Sequence, residues 1–250
     1  LKQNGEHYDK ANAAYSVGGP ETAVNMLNEN LDLDIQDYVS VNFLALADVI
    51  DMVDGITVKM TDEEVVHMNN YCVETSKVTG KKYKKIEPAV AGTYKLNGVQ
   101  AVSYARIRYT AGGDYKRTER QRLVLEKTAN KLKKQNLATI NKIIDKVMPE
   151  VSTSFSTKEI LALASGAFDF ELGETSGFPF DLETPDSIPG YSGSYVIPKG
   201  LEENVIKLHE FLFPDEEYTP TETVTNISDT LINMTNVYPS TTGSGTSQYE

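Results

Sequence analysis

The sequence predicts an α/β fold, on the basis of three segments in its first half. Residues 38–43 are rich in β-forming side chains, residues 44–53 have the apolar spacing of a helix, and Ile56–Met60 resembles a second strand. This strand–helix–strand order is typical of a βαβ unit. A chain of 250 residues, 40% of them hydrophobic, can bury a sizeable core around such a unit.

The helices are predicted from apolar spacing and from their start signals. Gly18, Gly19 and Pro20 form a turn before the first helix, and Thr61 has the chemistry of an N-cap. A lysine-rich loop is predicted at residues 80–85. The predicted helices cover residues 22–31, 44–53, 61–76, 99–104, 115–134, 137–148, 157–167 and 201–213.

The composition changes near the C-terminus, where threonine, serine, asparagine and glycine dominate. Residues 196–198 are the last predicted strand. We therefore expect one domain, residues 1–214, followed by a mostly disordered tail, residues 215–250, with residues 224–233 as a candidate docked helix.

Charge and cysteine usage exclude several classes of protein. The formal net charge of −12 argues against general nucleic-acid binding, which needs a basic surface. Cys72 is the single cysteine, so no intrachain disulfide forms. No segment approaches the length of a membrane span. Because the first residue is Leu1 rather than methionine, we expect a signal or anchor helix to lie upstream.

All five arginines of the chain lie in one short window, which is the unusual feature of this sequence. They are Arg106, Arg108, Arg117, Arg120 and Arg122. The other 19 basic residues are lysines, so generic positive charge is supplied by lysine elsewhere. A planar guanidinium matches two oxygens of a phosphate or carboxylate, which indicates an anion site.

The spacing of these residues predicts how they converge. Arg106 and Arg108 share a face if the chain is extended after the short helix, and Arg117 and Gln121 share a face at the start of the long one. A loop at residues 110–114 lets the two ends meet. The alternative is that the arginines on the long helix solvate its exposed face and pair with nearby glutamates.

Two blocks of sequence resemble the LytR-CpsA-Psr family of cell-envelope phosphotransferases. Residues 96–122 read "LNGVQAVSYARIRYTAGGDYKRTERQR", which follows the family pattern of LNG, R-x-R, a loop with Asp, and R-x-x-R-Q. Residues 10–58 are similar to the family's stretch around its GG turn. The resemblance implies an extracytoplasmic α-β-α domain with a central mixed sheet, anchored in the cell membrane by one N-terminal span.

The resemblance also implies an activity and a site. Family members transfer a phosphate-linked glycopolymer, of teichoic acid or capsular polysaccharide type, from a polyprenyl pyrophosphate carrier to peptidoglycan, with Mg²⁺. The implied pyrophosphate contacts are Arg106, Arg108, Arg117 and Gln121, then Arg120 and Lys10, with Arg106 and Arg108 catalytic and Asp114 supporting. The family's metal-binding acidic pair is expected upstream of this chain, so none of its own residues is predicted as a metal ligand.

Two alternatives stay open at this point. The arginine window could belong to a non-catalytic binding or regulatory module for anionic envelope polymers or lipid headgroups. Metal-dependent turnover separates an enzyme from such a binder. The carboxylates of Asp48, Asp51 and Asp54 lie at helical spacing, which is either a metal-binding face or, more often, a solvated one.

Overall fold

The computed structural model describes residues 1–3, 7–110, 113–166, 169–171, 173–185 and 187–240. They form two compact units. One unit consists of Leu1–Tyr38 together with the chain from Ser176 onward, and the other is Val39–Thr175. The domain boundary predicted at residue 214 stays a prediction.

The α/β class predicted from the sequence is confirmed, with helices dominating. The helices are α1 (Ala13–Leu31), α2 (Phe43–Met52), α3 (Asp62–Thr79), α4 (Gly98–Ala105), α5 (Gly113–Leu132), α6 (Leu137–Val147), α7 (Thr157–Gly166), α8 (Leu201–Leu212) and α9 (Glu222–Thr235). The strands are β1 (Val39–Val41), β2 (Ile56–Met60), β3 (Gly92–Leu96), β4 (Val151–Thr153), β5 (Leu182–Glu183) and β6 (Ile197–Pro198). A 3₁₀ turn, Met148–Glu150, joins α6 to β4.

The strand pairing differs from two expectations, the βαβ unit predicted from the order of elements and the central mixed sheet implied by the resemblance. Among the described residues, the strands form three separate antiparallel ladders: β1 with β4, β2 with β3, and β5 with β6. β2 and β1 therefore do not pair with each other. The physical reason is β3, a five-residue strand that the sequence analysis did not assign, which pairs with β2 along its whole length.

α4 is the centre of the larger unit, because all eight of its residues are buried. Its buried polar side chains, Gln100 and Ser103, form hydrogen bonds to neighbouring segments. α2, α3 and α5 pack around it, and Gly98 makes the closest approach. A Cβ on Gly98 would lie 2.1 Å from the carbonyl oxygen of Ala47 in α2, so only glycine fits there.

The ends of these helices follow the local signals in the sequence. The Thr61 hydroxyl oxygen accepts from the Glu64 N–H, and the Glu64 carboxylate accepts from the Thr61 N–H. These two hydrogen bonds form a capping box at the start of α3. α1 runs through the predicted turn, but Gly19 has non-helical angles, with φ at 73°, and divides the helix by a kink.

The smaller unit has its own core and contains the helix predicted near the C-terminus. α9 packs against α1 and α8, and Val224, Ile227 and Leu231 are among its buried residues. Thr221 caps α9 through its side chain. None of the helices in the described part of the chain is long and apolar enough to cross a bilayer.

Candidate functional site

Arg106 lies at the C-terminal end of α4 and is held in place from two sides. Its guanidinium donates to Glu74 Oε2 and to Thr75 Oγ1, each at 2.9 Å. The same group lies over the rings of Phe43, at 4.8 Å, and Tyr71, at 5.6 Å. Its side chain is 21% exposed, so part of the guanidinium still reaches solvent. These contacts fix a cation that keeps further N–H donors for an anion.

Arg108 lies two residues further on, with Ile107 between them. Ile107 is fully buried, whereas Arg106 is half-buried and Arg108 exposed. The burial pattern therefore alternates, although the backbone of Arg106 itself is still helical.

α5 carries Arg117 and Gln121 in the long helix predicted for them, four residues apart and therefore on adjacent turns. Arg117 is half-buried, with its Nε atom inside the protein, and Gln121 is exposed. Both lie in the N-terminal half of α5. Residues 111–112 of the predicted loop lie outside the described residues, as does the side chain of Asp114.

Arg120 is a buried residue that stabilises the packing of α5. Only 5% of the residue is exposed. Its guanidinium donates to Glu64 Oε1 at 2.9 Å, to the Ile107 carbonyl at 3.2 Å and to Thr110 Oγ1 at 2.7 Å. These acceptors lie on two segments, so Arg120 joins α5 to α3 and to the chain after α4. All three nitrogens of its guanidinium therefore donate to protein acceptors.

A cleft of about 510 Å³ lies beside Arg120 but is not basic. Its charged lining side chains are Glu63, Glu64, Glu119, Lys116 and Arg120. Three carboxylates against two cations make the cleft acidic on balance. Lys116 is also paired with Glu119 at 2.7 Å. A pyrophosphate group is therefore disfavoured in this cleft.

Burial and a neighbouring carboxylate also alter a phenol in this cleft. Tyr104 is 4% exposed, and its hydroxyl lies 3.5 Å from Glu64 Oε1. Burial first, and then the negative charge of Glu64, raise the pKa of Tyr104 to about 12. The phenol is therefore neutral at physiological pH and is no candidate base.

The aspartates that could have formed a metal-binding face instead hold lysines. Asp48 and Asp51 both bind the ammonium group of Lys81, and Asp54 pairs with Lys95 at 2.5 Å. Within the described residues, no group of three or more His, Cys, Asp or Glu side chains is placed to hold a metal ion. The residues present therefore do not fit a Mg²⁺ site by themselves.

Lys10 lies in the smaller unit. Its ammonium group lies 4.4 Å from the centroid of the Tyr195 ring, a cation–π contact within that unit. The role predicted for Lys10 stays a prediction.

The sequence analysis missed the side chains that hold the arginines. Glu74 and Thr75 anchor Arg106 from 32 and 31 residues away, and Glu64 anchors Arg120 from 56 residues away. Glu64 belongs to the capping box at the start of α3. Nothing near it in the sequence indicates that it also accepts a hydrogen bond from Arg120. Glu74 carries no sequence signal that separates it from other surface glutamates.

Comparison with known proteins places this geometry in context. The sequence model of the LytR_cpsA_psr family matches residues 2–174. Biofilm regulatory protein A of Streptococcus mutans is 35% identical over 150 residues, which are 59% of this chain and 34% of that protein. The polyisoprenyl-teichoic acid–peptidoglycan teichoic acid transferase TagV of Bacillus subtilis is 34% identical over 159 residues, which are 62% of this chain and 37% of that protein. The chain thus spans little more than a third of these relatives.

Solved structures agree on the fold. A crystal structure described as a transcriptional regulator from Enterococcus faecalis matches with a TM-score of 0.64 and 25% identity, over 94% of this chain and 80% of that one. The crystal structure of Bacillus subtilis TagV matches with a TM-score of 0.57 and 27% identity, over 88% of this chain and 80% of that one.

Proposed function

Because the chain belongs to the LytR-CpsA-Psr family, we propose that it transfers a phosphate-linked glycopolymer from a polyprenyl pyrophosphate carrier to peptidoglycan. Glycopolymers of the teichoic acid or capsular polysaccharide type are the proposed substrates. The transferase activity in the name of the relative TagV supports the reaction class. In this proposal the protein works outside the cytoplasm, anchored at the membrane that holds its lipid carrier.

The main support for this proposal is the set of contacts that hold the guanidinium of Arg106. A guanidinium fixed by a carboxylate, a hydroxyl and two aromatic rings is already ordered before an anion arrives. Binding then costs little side-chain entropy. Arg108, two residues further along the chain, and Arg117 and Gln121, on α5, are the proposed further contacts of the pyrophosphate.

The reaction needs positioning more than covalent chemistry from the protein. A hydroxyl of peptidoglycan attacks the phosphorus that bears the glycan, a new P–O bond forms, and the bond to the bridging oxygen breaks. That oxygen leaves on polyprenyl phosphate, and the hydroxyl proton is released. Negative charge grows on the leaving phosphate, where Arg106 and Arg108 stabilise it.

Mg²⁺ is part of the proposal as a requirement for activity. When bound, Mg²⁺ would neutralise charge on the phosphates. No step of the reaction is assigned to the metal, because the described residues do not fit a protein-bound site.

A second candidate function is a non-catalytic module that binds anionic envelope polymers or lipid headgroups. The name of the Streptococcus mutans relative, a regulatory protein, favours it. The same arginines serve this role, since holding a phosphate requires no turnover. Release of polyprenyl phosphate in the presence of Mg²⁺ and peptidoglycan distinguishes the enzyme from the binder.

The test of the site is binding of a short fluorescent polyprenyl pyrophosphate to the chain, with and without Mg²⁺. The variant Arg106→Ala/Arg108→Ala should bind roughly a hundredfold more weakly, since each arginine contributes charge-assisted hydrogen bonds. The matched control is Lys134→Ala/Lys142→Ala, which removes the same charge from exposed positions. If the folded wild-type chain does not bind the probe, or both variants bind equally, the lipid-carrier function is rejected.

A further inference from the structure

The loop between α3 and β3 concentrates positive charge on an acidic protein. Residues 77–87 contain five lysines and one glutamate, while the whole chain has a net charge of −12. Four of these lysines occupy residues 81–85, in the run Lys-Lys-Tyr-Lys-Lys. The proposed pyrophosphate site uses none of them.

The lysines of this loop divide into one structural and three exposed residues. Lys81 points to α2, where it binds Asp48 and Asp51. By contrast, Lys82, Lys84 and Lys85 are exposed, and none of the three has an ion pair within the described chain. We call these three residues the lysine patch.

The backbone that carries the lysine patch is fixed by side chains of the neighbouring helices. Ser76 Oγ donates to the Lys81 carbonyl at 2.6 Å, and Gln100 Nε2 donates to the Lys84 carbonyl at 2.8 Å. At the end of the loop, the amide of Asn69 bonds both the N–H and the carbonyl of Ile86. A flexible surface loop would not be tied at so many points, so the patch is a pre-ordered cationic surface.

The patch is close to the proposed pyrophosphate site. Thr75 in α3 accepts a hydrogen bond from Arg106, and α3 ends at Thr79, about 6 Å further along the helix. Gln100, which holds the loop, and Arg106 lie about 9 Å apart along α4. Both paths place the patch on the order of 10 Å from the guanidinium, about one Debye length at physiological salt.

We propose that Lys82, Lys84 and Lys85 bind the phosphodiester backbone of an anionic polymer, namely the part of the glycopolymer next to its pyrophosphate. This inference rests on the proposed function and names a second contact for the same substrate. Repeated phosphates meet repeated ammonium groups, each of which binds as a point charge and needs no fixed geometry. Lysine, rather than arginine, suits a contact that must tolerate successive repeats.

The surface of the loop favours a polymer over a membrane. Segments that lie in the membrane interface combine basic side chains with aromatic or aliphatic ones that enter the bilayer. The one aromatic residue of the run, Tyr83, packs instead against the core of the unit. Within residues 81–86, the patch therefore offers charge without an exposed apolar side chain.

The experiment measures binding of lipid-free poly(glycerol phosphate) to the 250-residue chain and to two variants. The test variant is Lys82→Gln/Lys84→Gln/Lys85→Gln. The control, Lys134→Gln/Lys142→Gln/Lys158→Gln, makes the same change in net charge at dispersed, exposed positions of the same unit. We expect the test variant to bind roughly tenfold more weakly, with a dependence on salt that is shallower by about 0.7 per lysine removed, and the control to bind almost as the wild type does.

Two further ligands separate this inference from the proposed function. Short polyprenyl pyrophosphate, which lacks the polymer, should bind the test variant as it binds the wild type. Vesicles of phosphatidylglycerol and phosphatidylcholine in equal parts should not bind through these lysines. The inference is overturned if the wild type binds polyprenyl pyrophosphate but not the polymer, if the control loses as much polymer binding as the test variant, or if the vesicles respond to the lysines and the polymer does not.

Discussion

Replacing Arg120 by methionine tests whether this arginine holds α5 to the rest of the larger unit. Methionine keeps most of the length of the side chain but removes three hydrogen bonds, one of which is the ion pair with Glu64. The two side chains are 6% and 15% exposed, so the change leaves a largely buried carboxylate without its cation. Breaking such a pair costs about 3–5 kcal/mol.

The lower end of that range applies here, because Glu64 keeps the bond that its other oxygen accepts from the Thr61 N–H at 3.0 Å. We therefore expect a loss of about 3 kcal/mol, which corresponds to a fall in Tm of about 10 °C for a unit of this size. Urea unfolding at neutral pH, followed by circular dichroism, gives the free energy directly.

The matched control is Lys116→Met, one turn earlier on the same helix. Lys116 is 51% exposed and pairs with Glu119 at the surface, so its replacement should cost less than about 1 kcal/mol. Combining Arg120→Met with Glu64→Gln should cost less than the sum of the two single changes. Strict additivity, or an Arg120→Met variant as stable as the control, would refute the argument that the buried pair joins the helices.

Three further predictions concern pH and packing. Burial opposes ionisation of Asp48, but its bonds to Lys81 and Lys146 outweigh that effect and lower its pKa below 3.8. The stabilisation from the ionised carboxylate is therefore complete above pH 3.8 and is lost as the pH falls further. When the urea midpoint of unfolding is plotted against pH, the acid side should be flatter for Asp48→Asn than for the wild type. The pKa of Tyr104 is raised from 10.0 to about 12. The contribution of its neutral phenol to the free energy of unfolding should therefore be lost as the pH rises from 10 towards 12, and Tyr104→Phe should not show this decrease. Gly98→Ala should lower the free energy of unfolding by about 3 kcal/mol, since the new Cβ would lie 2.1 Å from a backbone oxygen; an unchanged urea midpoint would contradict the close packing of α2 and α4.

Much of the local structure could be predicted from the sequence, because its signals come from residues close together in the chain. The strand Ile56–Met60 was placed with its observed bounds. Thr61 was identified as the cap of α3, and the long helix that carries Arg117 and Gln121 was located to within two residues at each end. The arginine window pointed to an anion site before any fold was known.

Strand pairing and the roles of individual arginines depended on the tertiary structure. β2 pairs with a strand that begins more than 30 residues later in the chain, not with its neighbour β1. In sequence, Arg106 and Arg120 look like equivalent cations. The fold buries Arg120 against Glu64 and leaves Arg106 partly open to solvent, because helix packing decides which guanidinium loses its water and which carboxylate compensates for it.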